Sequence, residues 1–196
     1  MYQDLSKYKF TLDRGRSNVV ILLYRFVCTL FIRHTPSFMW AWRNVMYRAF
    51  GAKIGKGVRI APDVKILYPW KVIIGNHVWI GSGTNLYSVD SIFIGNNVSI
   101  SFNVFLATAN HDIYDITFPT TSSPIYIEDE CWISTNVLIL QGVRVRRGSV
   151  VSACSLVTKE VPEGMVVSGI PAVPKKARKR NPLSVAEISK GKEAEK

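Results

Sequence analysis

Aliphatic residues recur at every sixth position through the middle of the chain, with small and polar residues between them. A period of six fits neither the 3.6-residue repeat of an amphipathic helix nor the plain alternation of one half-buried strand. It fits a chain that runs strand, turn, strand around a three-sided prism, so that each aliphatic side chain points inward and stacks on its counterpart one coil later. Grouped in threes, the positions predict five coils: Ile54, Ile60, Ile66, Ile74, Ile80, Leu86, Ile94, Ile100, Leu106, Ile127, Ile133, Ile139, Val145, Val151 and Val157.

The positions that follow the aliphatic residues predict sharp bends in the backbone. Gly55 and Gly75 are examples of the small residues found there, and a large side chain at such a corner would collide with the next coil. The periodicity has two-residue offsets after Ile66 and after Leu86, and one long interruption between Leu106 and Ile127. Because insertions in repeat proteins emerge as loops on one face and carry function, we expect functional residues in this excursion, residues 107–126.

The repeated unit (aliphatic, small, two variable positions, small or valine, one variable position) resembles that of the hexapeptide-repeat acyltransferases over residues 54–162. The resemblance implies an all-β chain folded as a left-handed parallel β-helix. Further motifs are similar to those of the colanic acid biosynthesis acetyltransferases and related exopolysaccharide O-acetyltransferases, relatives of the maltose, galactoside and nodulation-factor enzymes. These motifs are Gln3–Ser6, Gly51–Gly57, Lys65–Lys71, Thr84–Tyr87, His111–Asp112, Cys131–Trp132 and Gly169–Ala172.

The chain divides into four predicted parts. Residues 1–50 form a mainly helical segment, because aliphatic residues recur there at helical spacing up to Gly51. Residues 51–162 form the β-helix. Residues 163–180 form an extension that the resemblance places near coenzyme A. Residues 181–196 form a charged tail that we expect to be disordered.

The apolar stretch from Val19 to Ile32 raises the question of a membrane. As a helix it would rise about 21 Å, against about 30 Å of bilayer hydrocarbon, so we expect no transmembrane span. The polar sequence Arg33-His34-Thr35-Pro36 follows it in place of a small-residue cleavage site, so we expect no cleaved signal. The tryptophans and arginines of residues 17–50 suit either a helical cap over the first coil or a membrane interface, where aromatic rings sit at headgroup depth.

The composition adds a strong positive charge to this picture. The chain of 196 residues is 47% apolar, enough for a buried core, and its 25 basic and 14 acidic residues give a net charge of +11. Such a charge calls for an anionic partner: nucleic acid, a membrane surface or a phosphorylated cofactor. The basic tail from residue 175 onward contains no aromatic residue, which argues against a nucleic-acid surface built on base stacking.

The three cysteines, Cys28, Cys131 and Cys154, show no C-x-x-C spacing. They predict neither a disulfide framework nor a cysteine zinc site, and they fit a reducing compartment. We expect a cytoplasmic protein, either free or peripheral at the inner face of the plasma membrane.

Acyl transfer to a hydroxyl needs a base, oxyanion donors and a site that holds both substrates. His111 is the one histidine in the excursion, and an imidazole can take the hydroxyl proton and pass it to a departing thiolate. The resemblance implies the same role for it, with acetyl-CoA as donor. His34 and His77 are expected to be structural or exposed, and the spacing of the three histidines argues against a metal site.

Asn85, Tyr87 and Asp90 are the candidate acceptor-binding residues. An amide both donates to and accepts from a sugar hydroxyl, and the resemblance implies an acceptor-binding asparagine at position 85. The alternative is a corner asparagine, since asparagine tolerates the left-handed conformation. Asp112 stands next to the candidate base, and its role is left open.

The candidate cofactor residues follow the excursion, and the resemblance assigns them. It implies that Trp132 lines the pantetheine channel and that the backbones of Thr135 and Ala153, one coil apart, bond the pantetheine amides. The remaining candidates near the far end of coenzyme A are Thr158, Lys159, Lys175, Lys176 and Arg178, the last three as partners of its phosphates.

The sequence thus predicts an acetyltransferase acting on a sugar hydroxyl of an exopolysaccharide or of its lipid-linked repeat unit. The resemblance implies a homotrimer with active sites between subunits and no required metal, and no nucleic-acid partner is expected. The alternatives are a soluble maltose-type or nucleotide-sugar acetyltransferase and a non-catalytic β-helix scaffold.

Overall fold

The computed structural model describes residues 2–179, and its body is a parallel β-helix of five complete coils. The strands of the first three coils are β1 (Lys53–Ile54), β2 (Arg59–Ile60), β3 (Lys65–Ile66), β4 (Val72–Ile74), β5 (Trp79–Ile80), β6 (Asn85–Tyr87), β7 (Ile92–Ile94), β8 (Ser99–Ile100) and β9 (Phe105–Ala107). After a hairpin, β10 (Ala109–His111) and β11 (Thr120–Ser122), the last two coils hold β12 (Ile125–Ile127), β13 (Trp132–Ile133), β14 (Leu138–Ile139), β15 (Arg144–Val145), β16 (Val150–Val151) and β17 (Leu156–Val157).

Three parallel sheets form the sides of the prism. The first sheet runs β1-β4-β7-β12-β15, the second runs β2-β5-β8-β13-β16, and the third runs β3-β6-β9-β14-β17. The aliphatic positions pair in register from coil to coil, as Ile54 with Ile74 and Ile74 with Ile94. They form one buried core, so the predicted six-residue register and the five coils are confirmed.

The corners of the prism hold small residues and a ladder of side-chain amides. A Cβ atom at Gly55 would lie 2.5 Å from the carbonyl oxygen of Gly75, which explains why the position is glycine. Along the same edge, Asn76 accepts a hydrogen bond from the backbone N–H of Lys56, and Asn96 accepts one from that of Asn76, both at 2.8 Å. Each of these corner asparagines therefore accepts a hydrogen bond from the backbone of the preceding coil.

The amino-terminal helices cover the open end of the first coil. They are α1 (Asn18–Val27), a π-helix (Cys28–Ile32) and α2 (Trp40–Ala49), and a short 3-10 helix at Leu5–Lys7 precedes them. A second 3-10 helix, Pro69–Lys71, lies between β3 and β4. The Tyr24 hydroxyl donates to the carbonyl of Ile66 at 2.7 Å, and Arg43 Nε donates to that of Ile60 at 2.8 Å. The first coil has no preceding coil to pair with, and the cap supplies partners for its buried carbonyls. No helix within residues 2–179 is long and apolar enough to cross a membrane.

A carboxy-terminal hairpin closes the other end. Strand β18 (Met165–Gly169) continues the second sheet beside β16, and β19 (Ala172–Ala177) returns antiparallel to it. The tail predicted for residues 181–196 lies outside the described residues.

Candidate active site

His111 lies at the end of β10, in the hairpin that interrupts the coils. Its Nδ1 is 2.9 Å from the carbonyl oxygen of Phe118, and its ring stacks on the Phe118 ring with centroids 4.2 Å apart and planes 8° from parallel. A carbonyl only accepts hydrogen bonds, so Nδ1 carries the proton and Nε2 keeps its lone pair. Within residues 2–179 no hydrogen bond engages Nε2, which leaves it able to accept a proton from a substrate.

The amino-terminal segment also contacts the His111 ring. The Tyr8 ring lies 5.8 Å from the His111 ring, centroid to centroid, and the Tyr8 hydroxyl is 2.8 Å from Thr120 Oγ1 on the neighbouring strand. Further out, the backbone N–H of Asp4 donates to the carbonyl of Ile116 at 2.7 Å. The imidazole is therefore held between the hairpin and a segment more than a hundred residues away in sequence.

Asp112 does not orient this ring. Its Oδ1 accepts the backbone N–H of Tyr114 at 2.9 Å, and its own N–H donates to the carbonyl of Pro119 at 3.0 Å. The carboxylate thus stabilises the turn of the hairpin, and the Phe118 carbonyl fixes the imidazole.

Asn85 and Tyr87 occupy outward positions of β6 on the third sheet, and both line a cavity of about 380 Å³. The base of the hairpin is tied to the same strand, because Thr108 Oγ1 donates to the carbonyl of Tyr87 at 2.7 Å. The hairpin that carries the base candidate is therefore tied at its base to the strand that carries two of the acceptor candidates.

Asp90 holds the hairpin in place. Its Oδ1 accepts the backbone N–H of Ser91 at 2.6 Å, and its Oδ2 accepts Ser122 Oγ at 3.2 Å. Since both carboxylate oxygens have protein partners, the geometry favours a supporting role for Asp90 over direct acceptor contact.

The pantetheine candidates share a different edge, the corner between the second and third sheets. Trp132 is 45% exposed on β13, and its indole N–H donates to Ser101 Oγ at 3.0 Å. Thr135 and Ala153 stack in register, since the N–H of Cys154 donates to the carbonyl of Thr135 at 3.0 Å. Neither Thr135 nor Ala153 has an acceptor for its own N–H within residues 2–179, so both amides are available to a ligand at this corner.

The remaining cofactor candidates spread over the carboxy-terminal end. Thr158 and Lys159 are exposed in the turn after β17, and Lys176 pairs with Val166 at the start of β18. Lys175 precedes Lys176 on the same strand.

Arg178 lies apart from the pantetheine corner. Its guanidinium Nη1 donates to the carbonyls of Glu130 and Gly148, at 2.8 and 3.0 Å, on the corner between the first and second sheets. No cluster of three metal-ligating side chains occurs in the part of the chain that the structure describes.

Over 172 residues the chain is 39% identical to the colanic acid biosynthesis acetyltransferase WcaF of Escherichia coli K12, an alignment that covers 87% of this chain and 94% of that protein. The chain belongs to the hexapeptide-repeat acetyltransferases. A hexapeptide-repeat acetyltransferase from Vibrio cholerae, solved in complex with acetyl coenzyme A, matches this acetyltransferase with a TM-score of 0.77 and 28% identity, over 85% of this chain and 92% of that one. The galactoside acetyltransferase in complex with coenzyme A shares the fold, with a TM-score of 0.75 at 24% identity over 82% of each chain. No family model matches the chain.

Sequence reasoning missed three residues of this acetyltransferase that shape the histidine site: Tyr8, Phe118 and Thr120. All three lie outside the hexapeptide register, where no period marks them. Phe118 carries one faint signal in the sequence, because the flanking Thr117 and Pro119 suggest a turn. The structure agrees with a turn, since Phe118 adopts a φ of +50°. Nothing in the sequence near Tyr8 predicts its contact with the hairpin.

Proposed function

We propose that this acetyltransferase moves an acetyl group from acetyl-CoA to a sugar hydroxyl of an exopolysaccharide or of its lipid-linked repeat unit, with His111 as general base. The observation that carries the proposal is the hydrogen bond from His111 Nδ1 to the Phe118 carbonyl. It fixes the tautomer in which Nε2 is the free acceptor, as a general base requires.

The reaction proceeds by direct transfer. His111 Nε2 takes the proton of the sugar hydroxyl as its oxygen attacks the thioester carbonyl, giving a tetrahedral intermediate. The C–S bond then breaks, and the imidazolium returns the proton to the leaving thiolate, so that CoA and the acetyl ester are released without a covalent enzyme intermediate. The Phe118 carbonyl stabilises the imidazolium while it exists, because a hydrogen bond from a charged donor is stronger than one from a neutral donor.

The acceptor lies on the outer face of the third sheet, and the cofactor lies at the corner between the second and third sheets. Asn85 and Tyr87 contact the acceptor in the cavity beside β6, with Asp90 holding the hairpin. The cofactor follows Trp132, Thr135 and Ala153, then continues past the later candidates: Thr158, Lys159, Lys175 and Lys176.

We extend the proposal to a homotrimer with its active sites between subunits. Family membership supports it, and so does exposed aromatic surface on and beside the second sheet: Trp79 on β5 is 56% accessible in the single chain, and Phe102 in the turn after β8 is 58% accessible. Burial of such side chains against a second copy would be favourable.

The proposal also places the protein at an anionic membrane surface. The cap exposes a row of apolar side chains, among them Val19, Leu22, Phe26 and Phe31. No acidic residue occurs between positions 14 and 62, and apart from the buried Arg43 eight exposed basic residues do: Arg14, Arg16, Arg25, Arg33, Arg48, Lys53, Lys56 and Arg59. An apolar face flanked by cations is the pattern of an interfacial helix.

The test of the catalytic role is His111→Ala in an acetyl-transfer assay that follows release of the CoA thiol with a panel of sugar acceptors. We expect turnover to fall about 100-fold or more, the usual contribution of a general base. His34→Ala is the matched control, since His34 is exposed and lies outside the site. Retention of most of the turnover by His111→Ala would show that another group is the base.

A further inference from the structure

The cavity beside Asn85 has a roof made by the amino-terminal helices. It lies between the end of α1, the π-helix and the outer side of the third sheet, with a volume of about 380 Å³. Asn85, Tyr87 and Lys65 line it from the sheet, and Arg25, Thr29 and Arg33 line it from the helices. The acceptor side of the site is therefore a roofed pocket with three cations in its wall.

The π-turn explains why two arginines reach one pocket. In a regular α-helix, residues eight apart point about 80° away from each other. Here the N–H of Arg33 donates to the carbonyl of Cys28 at 3.1 Å, a five-residue step that inserts one extra residue. Because of the extra residue, the chain makes about seven rotations of about 100° between Arg25 and Arg33 in place of eight. The directions of the two side chains around the helix axis then differ by only about 20°.

The charged ends of these three cations form no ion pair within residues 2–179, and Lys65 interacts with Asp63 only through longer-range electrostatics. Within residues 2–179, no salt bridge and no side-chain hydrogen bond engages the charged ends of Arg25, Arg33 or Lys65, and no acidic residue lines the cavity. Asp63, the acid nearest to Lys65 in sequence, accepts from Ser82 Oγ and from the N–H of Gly83. Unpaired cations converging on a pocket attract an anion.

We propose that this cavity binds the phosphate or diphosphate group of the acceptor, so that the sugar accepted is a phosphorylated one; the proposal rests on the proposed function. A phosphoryl group carries between one and two negative charges and several acceptor oxygens. Three separate cations match a diphosphate better than a single carboxylate, which two arginines alone would satisfy.

The order of the residues along the third sheet agrees with this assignment. Lys65 lies on β3, Asn85 and Tyr87 lie on β6, and the hairpin with His111 leaves the sheet after β9. Two strand spacings, roughly 10 Å, separate β3 from β9. The phosphate therefore lies at one end of the site and the base at the other, with room for a sugar over Asn85.

The test is calorimetric titration of the full-length protein with inorganic pyrophosphate. The protein is first saturated with CoA, so that the cofactor phosphates fill their own site. We expect pyrophosphate to bind, and Arg25→Gln, Arg33→Gln and Lys65→Gln each to weaken it at least about tenfold, the effect of losing one charge-assisted contact. Lys53→Gln is the matched control, because Lys53 is the exposed lysine at the same strand position of the first coil on another sheet.

Three results would overturn the proposal: no binding of pyrophosphate, equal affinity in all four variants, or glucuronate binding as tightly as pyrophosphate. Circular dichroism and thermal unfolding check that each variant keeps its fold. The failure is separable from that of the proposed function. Acetyl transfer to neutral sugars that depends on His111 would stand without the phosphate site, and charge-dependent pyrophosphate binding would stand even if His111→Ala kept its turnover.

Two further ligands identify the source of the phosphate. Farnesyl diphosphate presents a lipid chain, and uridine diphosphate presents a nucleoside. Binding of farnesyl diphosphate more tightly than pyrophosphate, with the gain lost in Leu22→Gln and Phe26→Gln, supports a lipid-linked acceptor, because both residues are exposed and lie within one helical turn of Arg25. Tighter binding of uridine diphosphate supports a nucleotide-linked sugar.

Discussion

Removal of the Arg43 guanidinium should loosen the cap that roofs the cavity beside Asn85. Arg43 on α2 is fully buried without a carboxylate partner, and it donates hydrogen bonds to four neutral oxygens. These are the carbonyls of Ile60, Pro36 and Ser37 and the hydroxyl of Thr35, at 2.6 to 2.9 Å. Burial lowers the pKa of the guanidinium from its ordinary value, but arginine stays charged at neutral pH.

The expected cost of Arg43→Met follows from these contacts. A hydrogen bond from a charged donor contributes about 1.5–3 kcal/mol. Most of the summed contribution of these hydrogen bonds is offset in the wild type, because burying the guanidinium charge costs several kcal/mol. The variant no longer has this cost. What remains is the cost of leaving the carbonyl of Ile60 and its neighbours buried without donors, about 1–3 kcal/mol for each such acceptor, and we expect a loss of at least about 3 kcal/mol in the free energy of unfolding.

Arg48→Met is the matched control for this measurement. Arg48 lies on the same helix and also bonds first-coil carbonyls, those of Ile54 and Gly55, but it is exposed. We expect it to cost about 1 kcal/mol or less. Urea unfolding followed by tryptophan fluorescence reports on the cap, since Trp40 and Trp42 lie on α2, and hydrogen exchange of the α1 and α2 amides gives a local readout. Equal losses in the two variants would refute the argument from burial.

Three other predictions use the same structure. Acetyl-CoA at 100 times its dissociation constant should stabilise the protein by about 2.7 kcal/mol, and in thermal unfolding Trp132→Ala should show a smaller shift; an unchanged shift would remove Trp132 from the donor site. In flotation with phosphatidylglycerol vesicles, wild type should rise with the lipid and the double variant Leu22→Gln, Phe26→Gln should stay below, and equal flotation would contradict the interfacial face. Burial raises the pKa of the Cys131 thiol to about 11 and Cys154 is exposed, so a thiol reagent at pH 8 should label Cys154 first, as peptide mapping will show.

The repeat made the coiled body predictable, because the position of each hexapeptide predicts both a strand and the strand that pairs with it one coil away. The pairings of Ile54 with Ile74 and of Ile127 with Val145 follow from spacing alone. The prediction of a helical cap also needed only local periodicity. The excursion interrupts the repeat, and the register of the repeat contains no information about which residues the excursion contacts.

The contacts around His111 were beyond prediction for that reason. Tyr8 meets Thr120 across 112 positions of sequence, and no period connects them. Asp112 is adjacent to His111 in sequence, yet its carboxylate accepts the backbone N–H of Tyr114 instead. The orienting group is a backbone carbonyl at Phe118, and a sequence does not show where its carbonyls point.

The segments outside the repeat converge on one side of the prism. The cap helices roof the outer face of the third sheet over β3 and β6, and the hairpin with His111 leaves the same sheet after β9. The inward positions of these strands must stay aliphatic to keep the core, so the proposed acceptor recognition is left to the outward positions, the cap and the hairpin. A change of acceptor should then require substitutions at residues such as Arg25, Lys65 and Tyr87, while the coils that carry them stay unaltered. If the proposed roles hold, a rigid repeat can combine one base with different acceptor pockets, since His111 and the cavity beside Asn85 are positioned by different segments on a common sheet.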